Sequence, residues 1–180
     1  IMRQESRAAS IGDVTVTMPE FMERIIATFS HQARSSSHVN QRSGVSVRLS
    51  VSNFEILSAN AVRRALRAGE REVAPRISDL DALASSTGGK VEIEALEEGR
   101  ENGILQQLIS GAVLTVYKEL APGEMMREVL TAFEEGAVAY AGEDISSGEL
   151  IALLTQIPAL MPPVKVLICN GVLDALHELF

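Results

Sequence analysis

The sequence predicts a mainly α-helical chain with only short β pieces, and two features carry that expectation. Aromatic residues make up 4% of the 180 residues and Trp is absent, so the core must be built from Leu, Ile, Val, Ala and Met. Long stretches without Gly or Pro place these aliphatic residues at intervals of three and four, the spacing of a helix with one buried face. An apolar content of 46% suffices for a core of ordinary size, in one domain or in two small ones sharing a core.

Residues 10–17 read as a turn followed by a short β-like piece. A first helix follows, with Thr17 and Glu20 at capping-box spacing, Pro19 in the first turn, and Met22, Ile25, Ile26, Phe29 and Ala33 on one face. It frays at Ser35, Ser36 and Ser37, and His38 to Gly44 form a polar loop. A second helix is expected from Ser50 to Ala68, with Val51, Phe54, Leu57, Ala61 and Ala65 inward, Arg63, Arg64 and Arg67 outward, and Gly69 as its C-cap. A short helix over 78–84 has Asp79 in its first turn, and the alternation of Val91, Ile93 and Ala95 with Glu92 and Glu94 suggests a brief strand.

From Asn102 the helical pattern returns in Ile104, Leu105, Leu108, Ile109, Ala112, Val113 and Val116. After Pro122 and Gly123 another helix presents Met126, Val129, Leu130, Phe133 and Ala137. Ser146 and Glu149 repeat the capping-box spacing ahead of Leu150, Leu153, Leu154 and Ile157. Pro162 and Pro163 open a last helix carrying Leu167, Val172, Leu176 and Phe180.

Charge divides the chain. Residues 1–90 carry twelve basic and nine acidic side chains, whereas residues 91–180 carry four basic and fifteen acidic ones. The junction near Lys90 is a candidate domain boundary, and the acidic second half repels nucleic acid and anionic membranes; it is read as a solvated surface or as an acidic docking face. A helix-turn-helix DNA binder would rest on Arg63, Arg64, Arg67 and Arg71, but the net charge of −8 and the lack of a basic recognition face argue against it. Cys169 is the single cysteine, which fits a reducing, cytoplasmic setting and a small core residue. The greasiest stretch, 150–168, is interrupted by Gln156, three prolines and Lys165, so no membrane span is expected. A start at Ile1 suggests a piece of a longer protein.

The search for chemistry is mostly negative. Thr87-Gly88-Gly89-Lys90 lacks the first Gly and the final Ser/Thr of a phosphate loop and reads as a turn. His31, His38 and His177 have no ligand spacing, so no metal site is expected, and Glu92, Glu94, Glu97, Glu98 and Glu101 read as a solvated acidic run. No nucleophile stands with a base, and no catalytic residue is assigned.

One motif stands out, Gly44-Val45-Ser46-Val47-Arg48, preceded by Asn40-Gln41-Arg42-Ser43 and leading into the second helix. Gly44 permits the turn, Ser46 serves as a cap, and Arg48 enters the first turn, where the positive end of the helix dipole prefers acids. Such a rule-breaking arginine is either a surface or ion-paired residue, or one placed to meet a phosphate.

These residues, with Met18-Pro19-Glu20-Phe21-Met22, Ala61-Val62-Arg63-Arg64-Ala65-Leu66, Pro75-Arg76-Ile77-Ser78-Asp79-Leu80 and Thr87-Gly88-Gly89-Lys90-Val91-Glu92, resemble the magnesium-chelatase-like AAA+ ATPases related to the MoxR group. A weaker likeness reaches Val172-Leu173-Asp174-Ala175-Leu176-His177. The resemblance implies that residues 1–17 end an ATPase core, 18–90 form a helical lid and 91–180 an acidic helical C-terminal extension. It makes Arg48 the "sensor 2" residue that contacts nucleotide, with Arg42, Gly44 and Ser46 as the supporting motif. It further implies ATP and Mg2+ in a parent protein, and as partners that protein's own core, neighbouring subunits of a homo-oligomeric ring and a remodelled protein substrate. No Walker loop, acid pair or arginine finger lies in this chain, so the chain alone is expected to bind no cofactor and to hydrolyse nothing. The alternative is a helical interaction module without a nucleotide role, binding a partner through its acidic half.

Overall fold

The computed structural model describes residues 12–40, 45–88, 90–93, 100–121, 123–142 and 145–169. Among them are seven α-helices and two strands of two residues each, so the chain is mainly α with short β pieces. No helix among the described residues is long and apolar enough to cross a membrane.

Helix α1, Glu20–Ser35, buries Met22, Ile25, Ile26, Phe29 and Ala33 along one stripe. Its N-cap is Pro19, without a side-chain cap, so the expected Thr17–Glu20 capping box does not form. Thr17 lies two residues outside the N-cap and donates its N–H to the Val73 carbonyl at 2.9 Å. The first turn is closed instead by the Pro19 carbonyl, which accepts from Met22 N and Glu23 N at 3.0 and 3.2 Å.

Helix α2, Val47–Ala68, begins three residues earlier than expected because Ser46, in extended conformation, caps it. Gly69 ends it at φ 69°, a left-handed geometry that glycine adopts without strain. Leu49, Phe54, Leu57, Ala61 and Ala65 are buried. Arg64, expected on the outer face, is buried at 7% exposure, a correction with a simple cause. It follows Leu57 by seven positions and Ala61 by three, which puts it on the inner stripe beside a carboxylate from the next turn.

Strand β1, Thr15–Val16, pairs in parallel with β2, Glu72–Val73. The expected helix over 78–84 is two elements, a 3-10 turn Ile77–Asp81 and helix α3, Ala82–Thr87. The tight turn forms because Asp79 reaches back to the Arg76 N–H at 2.7 Å while its own N–H bonds the Arg76 carbonyl. Beyond it, Val91 and Ile93 make only isolated bridges, to Gly88 and Val39. The expected strand is therefore not continuous over 91–93, and Glu94, Ala95 and Leu96 lie outside the described residues.

Helix α4, Glu101–Leu120, lays Leu105, Ile109, Ala112, Val116 and Leu120 against α1. At their crossing a Cβ on Gly111 would lie 3.2 Å from the Gln32 side chain. Arg24 of α1 and Glu119 of α4 form an exposed ion pair along the same seam. The main buried cluster joins α1, α2, α3 and α4, so it draws on both sides of the charge junction near Lys90. A smaller cluster of Val14, Ala61, Val62, Ala65 and Val73 seats the β1–β2 ribbon on the back of α2.

Helices α5, Gly123–Glu134, α6, Ser147–Gln156, and α7, Met161–Cys169, follow. Of the expected α5 face only Val129 is buried; Leu130 and Phe133 are exposed at 60% and 39%. Ala137 falls past the helix end, after Gly136 at φ 101°. Helix α6 has the full capping box between Ser146 and Glu149, and α7 starts at Met161 with Pro162 and Pro163 in its first turn, where no N–H is required. Val172, Leu176 and Phe180 lie outside the described residues, as do the side chains of Leu167 and Cys169.

Candidate nucleotide-facing motif

The motif Gly44 to Arg48 meets the structure at its second half. Arg42 and Gly44 lie outside the described residues, whereas Val45, Ser46 and Arg48 lead into α2. The Ser46 hydroxyl accepts from the Arg48 N–H at 3.2 Å, and the Ser46 carbonyl accepts from Leu49 N at 3.0 Å. Capping thus fixes the Arg48 backbone while its side chain is exposed, with no ion-pair partner among the described residues. The first turn of α2 contains no acidic residue, so nothing in it offsets the positive end of the helix dipole.

Two contacts that spacing does not reveal hold this corner to α1. Arg34 donates from Nε to the Val45 carbonyl at 3.1 Å, and the Ser50 hydroxyl donates to Ser30 Oγ at 2.8 Å between buried side chains. Arg34 therefore brings a second guanidinium to the motif. The sequence signal for it is a basic residue in the last turn of α1, but its acceptor emerges only once the intervening loop folds back.

A second polar network lies on the other end of α2. Arg64 donates from one nitrogen to Asp79 at 3.0 Å and to the Ala74 carbonyl at 2.8 Å, and Asn60 donates to the other Asp79 oxygen at 3.1 Å. Arg76 sits beside this pair; burial lowers its pKa first, and the neighbouring Arg64 charge adds to that, against Glu70 and Asp79. With each carboxylate oxygen satisfied, Asp79 is a structural anion, and Arg64 is withdrawn from any surface role. Of the four arginines that could have met nucleic acid, Arg63, Arg67 and Arg71 remain exposed.

Of the Thr87–Lys90 segment, Thr87 ends α3, Gly89 lies outside the described residues, and the Lys90 N–H bonds the Thr87 carbonyl at 3.0 Å. The segment lies at the C-terminus of α3, the negative end of a helix, whereas a phosphate loop leads into a helix N-terminus. His31 and His38 join no cluster of three metal-ligating side chains among the described residues. Three shallow concavities are lined by residues of α4 with the 3-10 turn, of α1 with α4, and of the outer face of α2; Arg48 lines none of the three. Comparison with protein-family models, with curated proteins and with solved structures finds no match to this chain.

Proposed function

We propose that residues 18–90 work as the nucleotide-sensing lid of a magnesium-chelatase-like AAA+ ATPase, with Arg48 as the sensor 2 arginine. The observation that carries this reading is the placement of Arg48: exposed, without an ion-pair partner among the described residues, and fixed by the Ser46 cap at the positive start of the 22-residue helix α2. A guanidinium so presented suits the γ-phosphate of a nucleotide bound to a separate ATPase core. In this reading ATP and Mg2+ are held by the core of a cytoplasmic parent protein, which assembles as a homo-oligomeric ring and remodels a protein substrate. Residues 1–17 lead from the core, residues 91–180 form the acidic extension, and the chain itself performs no hydrolysis. The second reading, a helical interaction module, draws on the exposed Leu130, Phe133, Val138 and Tyr140 of the acidic half.

The test is made in the parent protein encoded around this chain, which the reading requires to carry a phosphate loop and an acid pair before Ile1. Arg48→Ala should weaken ATP binding or turnover by about 1.5–3 kcal/mol, roughly ten- to a hundredfold or more, with thermal stability unchanged. Arg48→Lys, which keeps the charge but loses the planar fork, should recover only part of this. Arg63→Ala on the outer face of α2 should do little. Normal hydrolysis by Arg48→Ala, or an upstream sequence without an ATPase core, rejects the lid and favours the interaction module.

A further inference from the structure

Residues 123–169 contribute no side chain to either buried cluster of the preceding helices, among the described residues. Of the described side chains in this stretch, only Val129, Ile145 and Ile157 are buried. Side-chain hydrogen bonds grip this unit from the helical body at one place. Glu70 accepts with one carboxylate oxygen from the Ser147 N–H and with the other from the Ser147 hydroxyl, at 3.2 Å. Arg76 donates to the Ile145 carbonyl at 2.6 Å and to Ser147 Oγ at 3.3 Å. One acid and one base thus close on both sides of the residues that begin α6.

Both gripping residues are fixed from behind. The Glu70 N–H bonds the Ala65 carbonyl of α2 at 2.9 Å, and the Arg76 N–H bonds Asp79, which is held in turn by Arg64 and Asn60. The carboxylate of Glu70 also stands at the N-terminus of α6, where an anion interacts favourably with the helix dipole. The geometry points to a polar latch, Glu70 and Arg76 closing on Ile145 and Ser147, that sets the angle of the α5–α7 unit against the helical body and releases it as an arm when opened. Apolar burial resists separation in proportion to area, whereas a few partly exposed hydrogen bonds exchange for water at small net cost. This boundary is therefore where the molecule changes shape most readily.

The test uses the full 180-residue chain in a Cys169→Ser background, with spin labels replacing the exposed Glu55 and Thr131, and reads the label-to-label distances by pulsed electron resonance. The unaltered latch should give one narrow distribution. Glu70→Ala and Arg76→Ala should each broaden it while circular dichroism stays the same, and should speed hydrogen exchange at the Ser147 amide by about tenfold or more. Arg76→Lys, which cannot span both acceptors, should fall between. An unchanged distribution in the doubly substituted chain overturns the latch. Loss of helical signal in either single variant also overturns it, because the two residues would then be part of the fold and not a closure on it.

Discussion

Arg64 and Arg48 stand at the two ends of one helix and have opposite fates, which shows how little residue type alone decides. Arg64 is enclosed, one guanidinium nitrogen shared between Asp79 and the Ala74 carbonyl, while its Nε and other terminal nitrogen are buried without a hydrogen-bond partner among the described residues. Removing one partner leaves the other charge buried, so Asp79→Ala should destabilise the chain by about 3–5 kcal/mol in urea unfolding. Replacing both residues together with apolar ones of similar volume should recover much of that loss. A small effect of Asp79→Ala would show the pair to be solvated. Composition cannot distinguish these arginines, because an Arg-Arg-x-x-Arg run on a helix suggests a wet face, and only the arrival of Asp79 from a later turn makes one of them internal. The Arg48 position is legible for the reverse reason: its cap and its disagreement with the helix dipole are both local.

At the scale of elements, the aliphatic stripes of α1, α2 and α4 can be read directly, since each faces a partner helix on a stripe of ordinary width. The stripe of α5 has the same pattern but meets only short elements, the turn Pro158–Leu160 and α7, beside which Val129 is buried while Leu130 stays in water. Caps divide in the same way. Ser146 and Glu149 form the box their spacing promises, while Thr17 and Glu20 do not, because the N–H of Thr17 is taken by a strand. In α6 the Ser146 hydroxyl, and then the Ser146 backbone N–H, hydrogen-bond the Glu149 carboxylate and lower its pKa below the usual value. A carboxylate with a depressed folded pKa contributes stability above its unfolded value, and that contribution is lost as pH falls through the folded value. Ser146→Ala removes the larger cause and keeps the backbone N–H, so it should move the Glu149 titration part of the way to the ordinary range by carbon-detected NMR and reduce the stability that α6 loses on acidification. An unmoved Glu149 titration would mean the box does not persist in solution.

For the whole molecule, the division of burial predicts a division of stability. Amides of α1, α2 and α4 should exchange only on global unfolding, whereas those of α5 and α6 should exchange through local opening, resolved by native-state hydrogen exchange in low denaturant. Uniform protection across all five helices would contradict this division. The joining of β1 to β2 has a further consequence for how the chain comes together and comes apart. Thr15 lies opposite Glu72, so the ribbon closes a loop that contains both α1 and α2. A parallel pair this short offers few ladder bonds against the entropy of closing that loop, so it must wait until the helices have docked and brought its edges side by side. By the same reasoning, a mechanical pull on residues 12–17 would peel β1 from β2 before any helix gave way, and Val14, on the pulled segment itself, would be the first buried side chain to feel the force.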